Sequence, residues 1–131
     1  MKGSYILLIE LKDDREILVG KFGKQYFKKG FYLYVGSSLN SLEKRINRHL
    51  RKKKKLHWHI DYLLQYASIV DVFYINDTHR RECSIAETLS KNLPSILGFG
   101  CTDCKCKSHL FYDSEKELRA LINRLKMLKY G

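Results

Sequence analysis

A chain of 131 residues is long enough for one compact domain and too short for two. Apolar residues make up 44% and aromatic residues 12%, which supplies a core and excludes wholesale disorder. Lys and Arg number 25 against 14 Asp and Glu, a formal charge of +11, so a polyanion is the first partner to consider, nucleic acid ahead of membrane or acidic protein. No apolar run approaches the ~18 residues of a membrane span and no signal-peptide pattern opens the chain, so a cytoplasmic location is expected. The four cysteines, Cys83, Cys101, Cys104 and Cys106, are then expected to be reduced.

Residues 4–11 predict a strand buried on at least one face, and Asp13-Asp14 a turn. Residues 16–22 predict a returning strand. Lys28-Lys29-Gly30 is a basic turn into a third strand over 31–35, which Gly36-Ser37-Ser38 ends. Asn40 and Glu43 have capping-box spacing before a helix expected to run to about Lys54. A second helical pattern covers 58–67, a strand 69–75, and a third helix 79–92. Ser114 and Glu117 form another capping box, opening a terminal helix whose apolar stripe is Leu118, Leu121, Ile122, Leu125 and Leu128. The class is α+β, a small and mainly antiparallel sheet flanked by helices, with an added C-terminal helix over 114–129. Residues 1–131 form a single domain whose core spans about 3–112.

On a wheel at ~100° per residue, Leu42, Ile46 and Leu50 define the buried stripe of the first helix. His49 falls within that stripe, flanked by Arg45 and Lys52. Arg45 and His49 stand on neighbouring turns at the boundary of core and surface. By residue type they are either a surface arginine and a core histidine, or a functional pair. In the third helix, Cys83, Ala86, Leu89 and Leu93 make the apolar face, and Glu82 lies near the middle of that arc. An inward carboxylate costs several kcal/mol unless it is paired, neutralised or bound to a cation; the alternative is a helix-start glutamate held by the dipole. Tyr32 and Tyr34 share one face of the third strand, opposite Phe31, Leu33 and Val35.

Gly3-Ser4-Tyr5 opening a strand, Tyr34-Val35-Gly36 closing a later one, Arg45 and His49 on the next helix and Glu82 on a later one together resemble the GIY-YIG nuclease family. The runs 30–37, 57–62 and 99–111 are most similar to a largely archaeal branch of that superfamily. The likeness covers about residues 3–112. The resemblance implies a phosphodiesterase using one divalent cation, Mg²⁺ or Mn²⁺, held by Glu82. It makes Tyr5 the general base, with Tyr34 beside it. Arg45 would stabilise charge on the phosphate, and His49 would assist proton transfer or orient the phosphate. His57 or His59 matches a further family histidine. The first motif here carries Ser4 where the family has Ile. The segment from Asp13 to Lys29 exceeds the family's usual short hairpin, so it is expected to form an extra strand or long loop.

Cys101-x2-Cys104-x-Cys106-x2-His109 offers three thiols and an imidazole, a set that either holds zinc or consists of structural or redox-active cysteines. Arg51-Lys52-Lys53-Lys54-Lys55 is either a solvated helix end or a phosphate grip beside Arg45 and His49, with Lys44 and Arg48 in the same patch. The leading expectation is a metal-dependent endonuclease in DNA repair or processing, DNA being favoured over RNA. The alternatives are a non-catalytic nucleic-acid-binding module that keeps the nuclease fold, and a zinc-stabilised protein docking a partner through its C-terminal helix.

Overall fold

A computed structural model describes residues 2–76, 82–101 and 106–131. Its main sheet has five strands in the order β6-β4-β1-β5-β7: β1 Gly3–Leu11, β4 Gly30–Ser38, β5 Ser68–Asn76, β6 Leu110–Asp113 and β7 Leu128–Lys129, and every neighbouring pair is antiparallel. β1 is central, and both of its faces are covered. Tyr5, Leu7, Ile9 and Leu11 point into one core with Tyr32 and Tyr34, while Ile6 and Leu8 point into a second with Leu33 and Val35. That two-sided burial explains why β1 is an unbroken apolar run rather than an alternating one.

The first core is closed by helix α1, Leu42–Leu50, by the short α2, His59–Leu63, and by a small second sheet. That second sheet pairs β2, Arg15–Leu18, with β3, Lys24–Phe27, across a 3-10 turn at Gly20–Phe22. The expected single strand over 16–22 is therefore wrong in its second half: the chain turns at Gly20 and returns as β3, burying Ile17, Val19 and Phe27 under the sheet. The long segment between the two tyrosine motifs is an added hairpin. The second core is closed by α3, Glu82–Ser90, and α4, Glu115–Arg124, through Ala86, Leu89, Leu118, Leu121 and Ile122.

Local chemistry moves several boundaries. The cap of α1 is Ser41, whose hydroxyl accepts the Lys44 N–H at 3.2 Å, not Asn40, whose own N–H is held by the Ser38 hydroxyl. The helix stops at Leu50, short of Lys54, and Leu50 is exposed, so the buried stripe is Leu42, Ile46 and His49. The helix expected over 58–67 contracts to α2. Ser114 does cap α4, accepting the Glu117 N–H. Leu128, expected on the helical stripe, lies instead in β7 and is exposed, because the left-handed Lys126 turns the chain back to the sheet. Leu118, Leu121 and Ile122 pack inside the protein's own core.

Candidate active site

Tyr5 faces Gly36 across the β1–β4 ladder, and its ring lies over that glycine. A Cβ at position 36 would stand 2.4 Å from the phenol oxygen and from the ring carbon that bears it, so only glycine lets the tyrosine occupy this place. Two residues back along β4, Tyr34 presents its ring on the same face. α1 lies across that face and delivers His49 and Arg45 to the tyrosines. His49 is 2% exposed, and its Nε2 is 2.6 Å from the Tyr5 hydroxyl. Its ring stands 6.0 Å from that of Tyr34.

The protonation states follow from burial. Desolvation, reinforced by Lys54, Arg48 and Arg45 against the opposing pull of Asp61, lowers the His49 pKa to about 3. Desolvation raises Tyr5 and Tyr34 well above the ordinary phenol value, with the nearby Glu82 charge adding to the rise and Arg45 opposing it. Both partners of the short bond are therefore neutral at physiological pH: the Tyr5 hydroxyl donates, and Nε2 accepts. The imidazole proton then sits on Nδ1, which is buried and has no hydrogen-bond partner among the described residues.

Arg45 donates from Nη1 to the Ser37 carbonyl at 3.0 Å and lies 4.6 Å from the centre of the Trp58 ring. Glu82 opens α3, half-buried, at the sheet end where its charge acts on Tyr5, Tyr34 and His109 together. The structure thus gathers Tyr5, Tyr34, Arg45, His49 and Glu82, which the sequence places on four separate elements. His57 and His59 both line a cavity of about 300 Å³ that Tyr34 also borders, with Lys21, Trp58 and Tyr62. His59 is fixed, its Nδ1 accepting the Gly100 N–H at 2.9 Å; His57 is exposed and packs its ring on Trp58.

Two residues of the run 57–62 take positioning roles that the sequence reading did not assign them. Asp61 is fully buried and holds Arg48 by two bonds of 2.9 and 3.0 Å, while one of its oxygens also accepts the backbone N–H groups of His57 and Trp58. Burial alone would raise its pKa, but these four donors hold it below the usual carboxylate range. Trp58 is the second, wedged against Arg45, Arg48 and His49. The signal for Asp61 was present in the sequence: an acid in the first turn of a short helix, following two residues whose N–H groups need an acceptor.

The basic run divides. Arg51, Lys52, Lys53 and Lys55 are exposed, as is Lys44. Arg48 spends its fork on Asp61 and the Lys55 carbonyl. Lys54 folds back onto the end of α1, donating to the carbonyls of Arg48, His49 and Arg51. The cysteine cluster also changes membership. Cys83, Cys106 and His109 form a group that could hold a metal ion, their ligand atoms all within 4.8 Å of one another. Cys101 is not in the group; it lies by the Phe99 carbonyl, with Tyr34 in its surroundings. Cys104 lies outside the described residues.

No helix among the described residues is long and apolar enough to cross a membrane. A family model described as a domain of unknown function, DUF123, matches residues 4–129. No curated protein matches the chain, and neither does any solved structure.

Proposed function

We propose that this chain, which belongs to the DUF123 family, is a GIY-YIG-type endonuclease hydrolysing phosphodiester bonds, with DNA favoured over RNA as substrate. The observation that carries the reading is the 2.6 Å bond between the Tyr5 hydroxyl and His49 Nε2, formed in a site where Arg45 and Glu82 act on the same tyrosine. A buried phenol with a raised pKa is a poor base alone. Hydrogen-bonded to Nε2, which burial keeps unprotonated, it orients the attacking water through its free lone pairs, and the water gives up its proton to solvent as it attacks. The water oxygen bonds to phosphorus, the P–O bond to the leaving oxygen breaks, and the leaving oxygen takes a proton from solvent. The guanidinium of Arg45, which keeps donors beyond the one used on Ser37, meets the developing charge on the non-bridging oxygens. Tyr34 keeps its proton and holds the phosphate or the water in line.

Glu82 suits a hard divalent cation by its donor chemistry, a carboxylate whose charge reaches both phenols. Mg²⁺ or Mn²⁺ bound there would stabilise negative charge on the phosphate. The exposed Lys44, Arg51, Lys52, Lys53 and Lys55 supply a sequence-independent grip on the backbone.

The test is a panel of duplex, branched, abasic and single-stranded substrates with Mg²⁺ or Mn²⁺. Cleavage is expected with at least one. Glu82→Ala and Tyr5→Phe are expected to lower it by 10² or more. Cleavage that persists in Glu82→Ala overturns the metal role of that residue. Salt-sensitive binding without turnover under any metal favours the alternative, a binding module that keeps the nuclease fold, which the exposed basic run alone would support.

A further inference from the structure

We propose that Cys83, Cys106 and His109 bind one Zn²⁺ ion, which ties the first turn of α3 to the segment that leads into β6. Cys83 is remote in sequence from Cys106 and His109, and the fold brings the three ligand atoms within 4.8 Å of one another. Tetrahedral zinc with thiolate and imidazole ligands needs ligand-to-ligand distances of about 3.5–3.8 Å, given bonds near 2.3 Å to sulfur and 2.0 Å to nitrogen. The group is therefore within about an ångström of that geometry, which a rotation of the side chains supplies. The donors are soft: two thiols and an imidazole suit zinc and not the hard cation that Glu82 would take.

Surroundings favour a fixed site. His109 is 2% exposed and its backbone is held on both sides, its N–H donating to the Phe99 carbonyl and its carbonyl accepting the Val35 N–H. The imidazole is thus anchored to the β4 edge before any metal arrives. Cys83 adjoins Glu82, so the tie fixes the backbone beside the carboxylate. That positioning consequence rests on the nuclease reading, whereas the metal site does not. On binding, both thiols lose their protons to solvent, and sulfur and nitrogen donate electron pairs to the ion; nothing is oxidised or reduced.

The experiment uses the full chain, purified under reductant and stripped with chelator, then titrated with Zn²⁺ or Co²⁺. One equivalent of zinc per chain is expected, with a rise in melting temperature. Co²⁺ is expected to give thiolate charge-transfer absorption and the visible bands of a tetrahedral centre. Cys83→Ser is expected to lose the charge-transfer band's full intensity and to weaken zinc binding at least tenfold. Cys101→Ser is expected to keep both, and Cys83→His, which restores a ligand, to recover the stoichiometry. Glu82→Ala is expected to abolish cleavage while retaining zinc, which separates the two metal sites. An absence of zinc uptake by the folded wild-type protein overturns the proposal, as does a Cys83→Ser protein with unchanged affinity and spectrum. Loss of cleavage alone touches only the nuclease reading.

Discussion

His49 is held neutral by the fold, and this has a consequence for stability that does not depend on any reaction. Its ordinary pKa is 6.5, and burial lowers it to about 3 in the native protein. Between those values the unfolded chain binds a proton that the native state refuses, so stability rises with pH through this window and is lost as pH falls through it. The slope from this one group is at most about 1.4 kcal/mol per pH unit. Urea melts from pH 6.5 down to 4 are expected to show His49→Asn flatter than the wild type by close to one proton. Equal slopes would mean that the imidazole is accessible to protons in the native state. Gly36 is what leaves room for the Tyr5 ring. In Gly36→Ala the new methyl collides with the Tyr5 ring, which must swing away from His49. Cleavage is expected to fall at least tenfold, with a loss of ~1–3 kcal/mol in stability. A structure of the variant with the Tyr5–His49 bond intact would contradict this account of why glycine stands there.

At the scale of elements, the segment that follows the basic run is held by one carboxylate. Asp61 joins α1, through Arg48, to the backbone at His57 and Trp58, and Trp58 in turn backs Arg45 and His49. Removing one partner of a buried ion pair costs on the order of 3–5 kcal/mol, because the other charge is left without compensation. Asp61→Asn is expected to lie in or just below that range by chemical denaturation, and to loosen hydrogen exchange at the Trp58 amide. Exchange that is unchanged there would show that Trp58 is positioned by its ring contacts alone. This clamp also shows what the sequence could and could not reveal. β1, β4, α1 and the Ser114 cap were legible, since apolar and aromatic runs, helical period and capping are local signals. His49 and Glu82 were legible as polar groups on apolar faces, Arg45 at the edge of one, and Tyr5 through the resemblance. The Asp61–Arg48 pair, the approach of Cys83 to Cys106 and His109, and the return of the chain as β3 and β7 were not, because each depends on a tertiary partner that no periodicity encodes. The wheel even misplaced Leu50 as core: α1 ends there, and it is His49 that the last turn buries while Leu50 faces solvent.

For the whole molecule, the charge of +11 is not one undivided patch. Arg48 and Lys54 neutralise or cap elements of the fold, and Arg119 and Lys129 pair with Asp71 on the far strand β5. What remains available beside the site is led by Lys44, Arg51, Lys52, Lys53 and Lys55. If these grip phosphates, the affinity for nucleic acid falls steeply with salt, each neutralised phosphate adding about 0.9 to the slope of log K against log salt for duplex DNA. The triple variant Lys52→Ala, Lys53→Ala, Lys55→Ala is then expected to lower that slope by roughly 2–3 and to weaken binding at moderate salt by 10-fold or more, uniformly across sequences. Its melting temperature is expected to stay close to wild type, since these side chains are exposed and substitutions of that kind change stability by about 0.5 kcal/mol or less. Arg48→Ala is the informative contrast. It removes the same formal charge as any one of the lysines but also the partner of Asp61, so it is expected to destabilise the protein strongly. Fluorescence anisotropy across a salt series, beside thermal melts of both variants, separates charge that binds from charge that folds. A salt slope untouched by the triple variant would move the nucleic-acid contact to another face of the molecule.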